Sequence, residues 1–196
     1  MAGRKSERDL VGLTVLALLT QGPRHAYGML RFIAVTHKDY VQGLPRSLYH
    51  AVRKLSDSGR IAPVETVKDG NRPERTVYKI TDDGRSDLVG RLKSLLETVD
   101  RDSTPTVAAL SLMGALPLHE AKNSLRVRAD SLRELVNEAD RTLAEMAEAG
   151  LPRLPALEVE FERNRDNAEL TWTEQLIEHM NTGNVTWAAE LPPLPE

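Results

Sequence analysis

The chain of 196 residues contains no cysteine. A disulfide framework, a thiolate nucleophile, a zinc ribbon and a cysteine-held iron–sulfur cluster are therefore excluded. Catalytic signatures are missing too. His25, His37, His50, His119 and His179 form no HExxH and no i, i+4 pair, and the chain has no GxSxG, P-loop or GxGxxG. Asp82-Asp83 reads as a helix cap, and Glu158, Glu160, Glu162 and Asp166 as a solvated face. No catalytic residue, metal or cofactor is expected, so the chain is not read as an enzyme. Nor is there an apolar run of the ~20 residues that a membrane span needs. Leu10 to Leu19 follows Arg4, Lys5 and Arg8 in the outline of a secretory leader. However, Glu7 and Asp9 nearly cancel the basic flank, and Gln21-Gly22-Pro23-Arg24 offers no small-x-small cleavage site. A cytoplasmic protein without a membrane partner is expected.

What remains is 40% hydrophobic and 28% charged, the balance of a folded globular chain with room for one large domain or two small ones. The net charge of −3 hides an asymmetry. Residues 1–100 carry 17 Lys and Arg against 12 Asp and Glu, whereas residues 101–196 carry 9 against 17. A basic half joined to an acidic one suggests that the first meets a polyanion and the second another protein chain, with plain solvated charge as the alternative.

Leu10 to Leu19 has apolar residues on most sides, as a short buried helix does, and Gly22-Pro23 ends it. Pro23 suits the first turn of a second helix, in which Ala26, Leu30 and Ile33 share a face and which fades near Thr36 to Asp39. After Gly43 and Pro45, the segment from about Arg46 to Asp57 places Leu48, Val52 and Leu55 at helical spacing, with Gly59 as a left-handed stop. Two runs of β character follow, Ile61 to Val67 and Thr76 to Ile80, around a tip rich in turn formers. Thr81 to Gly84 supplies cap candidates for a helix over roughly Arg85 to Thr98. Charge and turn formers break the periodicity at Asp100 to Pro105, before a short helix from about Val107 to Leu116.

Three helices and a hairpin in about 80 residues is the layout of a winged helix-turn-helix, whose third helix enters the DNA major groove while the wing contacts the flanking backbone. At ~100° per residue, Val52 and Leu55 fall within about 40° of Leu48, and Arg46, His50 and Arg53 cluster on the opposite side. Arg can make a bidentate contact to guanine and His can bond a base edge, while Ser47, Tyr49 and Lys54 are placed to hold phosphates. Lys68, Asn71, Arg72 and Arg75 crowd the hairpin tip, where long basic side chains suit phosphate or minor-groove contact. Tyr27, like Tyr49, is a candidate phosphate contact, with half-buried packing as the alternative.

These residues resemble the PadR-type transcriptional regulators. The likeness rests on Leu13-Thr14-Val15-Leu16-Ala17-Leu18-Leu19, Gly22-Pro23 with His25-Ala26-Tyr27, and Ser47-Leu48-Tyr49-His50-Ala51-Val52-Arg53-Lys54-Leu55 with Gly59-Arg60-Ile61. It continues through Arg72-Pro73-Glu74-Arg75-Thr76-Val77-Tyr78-Lys79-Ile80-Thr81 with Gly84. The resemblance implies a homodimeric repressor with an N-terminal winged helix and a C-terminal helical dimerisation domain, in which small molecules often relieve DNA binding. It also implies that Tyr49, Arg53 and Arg72 stand at or near DNA. Arg46 and His50 occupy places where the family commonly has Gly and Pro, so the operator sequence is not carried over.

In the second half, Leu125, Ala129, Leu132, Val136, Ala139, Leu143 and Met146 recur at steps of four and three until Gly150-Leu151-Pro152. This heptad seam runs about 25 residues, ~38 Å. It calls for a partner helix, either in a second copy across an isologous interface or in an intramolecular antiparallel pair. Leu125, Leu132, Val136, Leu143 and Met146 are the candidate dimer contacts. A last helix from about Ala156 to Thr182 carries Phe161 and Trp172, candidate contacts for a small aromatic or apolar effector, with plain core as the other reading.

The expected fold is mainly α: a winged helix-turn-helix DNA-binding domain over 1–100, a helical dimerisation and effector domain over 101–190, and a proline-rich tail over 191–196. The expected function is a homodimeric regulator, a repressor, that binds double-stranded DNA at a palindromic operator. The alternative is a winged-helix module that docks proteins and binds no operator.

Overall fold

The structure, a computed structural model, describes residues 9–67 and 74–187. Lys68, Asn71, Arg72 and the tail 191–196 lie outside the described residues. The described chain is mainly helical with a small antiparallel sheet, and it divides into two compact units.

The first unit begins with α1 (Leu10–Leu19). Every residue from Gly12 to Leu19 is buried, as an apolar helix without a polar face requires. Asp9 fixes its start: one carboxylate oxygen accepts the Gly12 N–H at 2.9 Å, and the other lies 3.2 Å from Lys54. Next comes β1 (Arg24–His25), a two-residue strand, and then α2 (Ala26–Val35). Pro23 therefore stands outside the helix, not in its first turn. The helix starts at Ala26 because His25 is extended and caps it, its Nδ1 accepting the Gly28 N–H at 2.8 Å.

Helix α2 ends in a Schellman motif, with His37 left-handed (φ 48°) and the Lys38 N–H on the Ile33 carbonyl at 3.3 Å. In the turn that follows, the Lys38 ammonium donates to Ser111 Oγ at 2.6 Å. Helix α3 (Arg46–Asp57) comes after it and ends in the same motif. Here Gly59 takes the left-handed position (φ 71°), as the sequence indicated, and the Arg60 N–H meets the Leu55 carbonyl at 2.9 Å.

Strands β2 (Ile61–Val67) and β3 (Arg75–Ile80) form the antiparallel hairpin, with Ile61 opposite Ile80 and Val67 opposite Arg75. The register shifts between Pro63 and Glu65, a bulge at a proline that has no N–H for the ladder. β1 adds to the other edge of β3, Arg24 facing Tyr78 and His25 facing Val77, so the sheet order is β1-β3-β2. Helix α4 (Asp82–Glu97) is capped by Thr81, whose Oγ accepts the Gly84 N–H at 3.1 Å. Helix α5 (Thr104–Leu112) also packs in this unit, although the sequence break lies before it at Asp100 to Pro105. The core includes the fully buried Leu13, Leu16, Met29, Ile33, Leu48, Ile61, Leu88 and Leu92, each contributing ~1.5–3 kcal/mol by burial.

The second unit is an antiparallel pair, α6 (Leu118–Glu148) and α7 (Leu157–Asn181), together with residues 96–99. Its direction shows in the cross-links Arg133 to Glu174 and Arg163 to Asp140. Gly150, left-handed at φ 70°, closes α6. Ala129, Leu132 and Leu170 form a cluster against which Val99 packs. Arg128 is buried beside it, donating to the Thr98 carbonyl at 2.6 Å and to Glu169 through Nε at 2.7 Å. The seam thus finds its partner within the chain over most of its length: Leu125, Leu132 and Val136 are buried in the single copy, while Leu143 and Met146 are half-buried.

Candidate nucleic-acid interface

Helix α3 turns Leu48, Ala51, Val52 and Leu55 into the core. The opposite face carries Arg46, His50 and Arg53, all exposed, with Tyr49 and Lys54 exposed at its margins. The separation of buried and basic stripes read from the spacing is present on the folded helix.

The N-terminus of α3 is cationic without compensation along its own first turn. Pro45 caps it with no side-chain hydrogen bond, and that turn holds Arg46 but no acid. The positive end of the helix dipole and the Arg46 guanidinium both favour an approaching anion. Ser47, half-buried, donates its hydroxyl to the Gln42 carbonyl at 2.7 Å, leaving its oxygen as an acceptor. Arg53 and Asp57 are 3.8 Å apart with side chains 84% and 72% exposed. Such a pair contributes ~0–1 kcal/mol and leaves Arg53 available to a stronger anion. Lys54 is held differently, since its partner Asp9 also caps α1.

Arg75, on β3, stacks its guanidinium over the ring of Tyr27 at the start of α2, 4.7 Å from the centroid. The Tyr27 ring also lies against His25, centroids 6.3 Å apart. Burial, and after it the Arg75 charge, hold the His25 imidazole below its ordinary 6.5. Neutral His25 accepts the Gly28 N–H at Nδ1, so its remaining proton is on Nε2. Between the start of α2, the exposed flank of α3 and β3 lies a cleft of about 620 Å³. Sequence reasoning named Tyr27, Tyr49, Arg53 and Arg75 one by one; the structure brings them into the lining of this one cleft together with His25 and Tyr78. What links them is β1, which anchors His25 beside Val77 and is too short to leave a signal in the sequence.

On α7, Phe161 and Trp172 are 69% and 48% exposed. Among the described residues no group of three or more His, Asp or Glu is placed to hold a metal ion, and no helix is long and apolar enough to cross a membrane.

Solved structures match most of the chain at low identity. Bacillus subtilis PadR in complex with operator DNA is 17% identical, with 86% of this chain and 98% of that one covered and a TM-score of 0.38. The PadR-like transcriptional regulator BC1756 from Bacillus cereus is 16% identical, with 90% and 99% covered and a TM-score of 0.38. The Vibrio cholerae virulence activator AphA is 18% identical, with 88% and 99% covered and a TM-score of 0.34. No residue role here rests on these likenesses. Among curated proteins none matches. The sequence profile of one family does match, over residues 15–89, the stretch that holds most of α1, all of α2 and α3, and the three strands. Residues 15–89 thus match the model of the Transcriptional regulator PadR-like family.

Proposed function

We propose that this regulator is a homodimeric repressor that reads a palindromic operator with α3. Arg46, His50 and Arg53 meet base edges in the major groove, and Tyr49, Lys54, Tyr27 and the wing residues Lys68, Asn71, Arg72 and Arg75 hold the backbone, joined by Ser47 once its hydroxyl turns from the Gln42 carbonyl to a phosphate oxygen. The observation that carries this reading is the two-sided construction of α3: Leu48, Val52 and Leu55 buried, Arg46, His50 and Arg53 open to solvent. A helix so built presents bidentate donors while its apolar face keeps its orientation rigid.

Two-fold assembly belongs to the same reading, because two such helices about 34 Å apart meet successive major grooves on one face of the duplex. Since Leu125, Leu132 and Val136 are already covered, the second copy meets the apolar surface left open: the half-buried Leu143 and Met146, and the exposed Leu154, Leu157 and Phe161. An effector that releases DNA completes the reading, with Trp172 as the reporter of a site on α7.

Selection of bound fragments from a random duplex pool tests it. A palindromic consensus is expected, bound with an affinity that falls as salt rises by ~0.9 in log-log slope per phosphate contact. Failure to enrich any sequence rejects operator reading and leaves the protein-docking alternative. Sedimentation as a monomer at micromolar concentration rejects the dimer.

A further inference from the structure

An ammonium group stays charged where water or a carboxylate surrounds it, and Lys38 has little of either. It stands in the turn between α2 and α3. Its backbone is fixed there by its own N–H on the Ile33 carbonyl at 3.3 Å and by the Val41 N–H on its carbonyl at 2.9 Å. Lys38 is half-buried, and its Nζ lies 6.0 Å from the ring centroids of both Phe32 and Tyr40. That is the outer limit of cation–π attraction, so the rings act more as apolar walls than as counter-charges.

The hydrogen-bond partner of the ammonium is neutral. Nζ donates to Ser111 Oγ on α5 at 2.6 Å, and the same oxygen accepts the Tyr40 hydroxyl at 3.3 Å. Lys54 has Asp9, whereas Lys38 pairs with no carboxylate among the described residues, its neighbour Asp39 included. Burial without an opposing acid holds the Lys38 ammonium below its ordinary 10.5. Arg24, 5.9 Å from the centroid of the same Phe32 ring, also pairs with no carboxylate among the described residues. Two uncompensated cations beside one ring favour a reactant whose leaving group is an anion.

Desolvation is what makes a lysine amine nucleophilic near neutral pH. Deprotonated, Lys38 keeps two N–H groups, so one can remain on Ser111 Oγ while the lone pair is free to attack. Ser111 is exposed, which leaves the amine open to solvent on that side.

We propose that Lys38 is an acylation site whose amine takes the acyl group of a small acyl phosphate. The nitrogen lone pair forms a bond to the acyl carbon, the bond from that carbon to the phosphate oxygen breaks, and phosphate leaves with the electron pair. The nitrogen sheds its proton to Ser111 Oγ, which passes its own to water. The amide so formed is neutral, which relieves the desolvation cost that the ammonium carries at this place, and its remaining N–H can still donate to Ser111. The turn and α5 both belong to the first unit, and the site stands whether or not α3 reads DNA.

The test treats the folded full chain with acetyl phosphate to low conversion and follows each lysine by peptide mass spectrometry. Lys38 should be acetylated at least about threefold faster than the exposed Lys79, because more of it is free amine at a given pH. In urea, where the walls around it are gone, the preference should vanish. Ser111→Asp sets a carboxylate against the ammonium and raises its pKa; it should slow Lys38 at least about tenfold and leave Lys79 unchanged. Ser111→Asn, a neutral partner at the same exposed position, should keep the preference for Lys38. Lys38 modified no faster than Lys79 overturns the site, and so does a preference that survives in urea, since it would then come from the local sequence. Indifference to Ser111→Asp overturns the part given to the missing counter-charge. Acetyl found on Ser111 as a hydroxylamine-labile ester, in place of a stable amide on Lys38, makes the serine the acceptor and overturns the assignment.

Discussion

The imidazole of His25 accepts the backbone N–H of Gly28 through Nδ1 at 2.8 Å, so the first turn of α2 is capped by a group that can titrate. Capping needs an unprotonated Nδ1. Burial and the Arg75 charge both disfavour the imidazolium, and the folded value lies below 6.5. In the window between the two values the unfolded chain binds the proton more readily than the folded one. The stabilisation is therefore present above about pH 6.5 and is lost as pH falls through the folded value. Melting temperature should decline on acidification more steeply in the natural chain than in His25→Asn, which keeps a cap acceptor that does not titrate. Parallel curves for the two proteins would show that the cap does not carry the pH response.

Arg53 stands on the open side of α3, 84% exposed, with only the loose Asp57 pair to give up. If it reads a base, Arg53→Ala should cost roughly 1–3 kcal/mol on the selected operator and relax preference at one position per half-site. Arg53→Lys keeps the charge but lacks the planar fork. It should preserve the salt dependence while losing most of the base preference. Affinities on the selected site and its single-base variants, each at two salt concentrations, decide the matter. Equal losses on every sequence would make Arg53 a phosphate contact.

Much of this arrangement was legible before the structure. The spacing of Leu48, Val52 and Leu55, and Gly59 after them, set the limits of α3, because helical period and a left-handed stop are both local signals. Thr81 was readable as a cap, though α4 starts at Asp82, ahead of the apolar stripe that marked it. β1 was not readable: two residues carry no alternation, and their partners Tyr78 and Val77 lie some fifty positions away. The pairing of the α6 seam was ambiguous for a different reason. A heptad pattern says that a stripe must be covered and not by which chain. Leu132 meets Leu170 of its own chain, a contact that the looser pattern of α7 did not announce.

Arg128 is 2% exposed and holds the carbonyls of Leu96 and Thr98 as well as the Glu169 carboxylate. Arg128→Ala strands a carboxylate and two carbonyls at once. Breaking a buried pair from one side typically costs ~3–5 kcal/mol, and a loss of that order is expected in urea unfolding. Glu169→Gln keeps an acceptor for the guanidinium, and Glu169 reaches solvent at 30% side-chain exposure. Its cost should be clearly smaller. Equal losses in the two variants would place the contribution in the carboxylate, not in the carbonyl clamp.

Two glycines of α4 should respond to alanine with opposite signs. At Gly84 an added Cβ would stand 2.0 Å from the Arg60 carbonyl oxygen and 2.9 Å from Ile80 Cγ1. That same carbonyl accepts the Thr81 N–H at 3.1 Å and its hydroxyl at 2.9 Å, so the turn behind α3 cannot retreat without breaking the cap of α4. Overpacking against side chains costs ~1–3 kcal/mol, and a backbone oxygen yields less than a side chain does. Gly84→Ala should reach at least the upper part of that range. At Gly90, exposed in the helix interior, the Cβ meets nothing within 4 Å. Removing backbone freedom from the unfolded chain there should stabilise by about 0.5–1 kcal/mol. Denaturant midpoints at unchanged m-value measure both. A tolerated Gly84→Ala would mean that the close approach of α4 to the turn behind α3 is not a fixed feature of the fold.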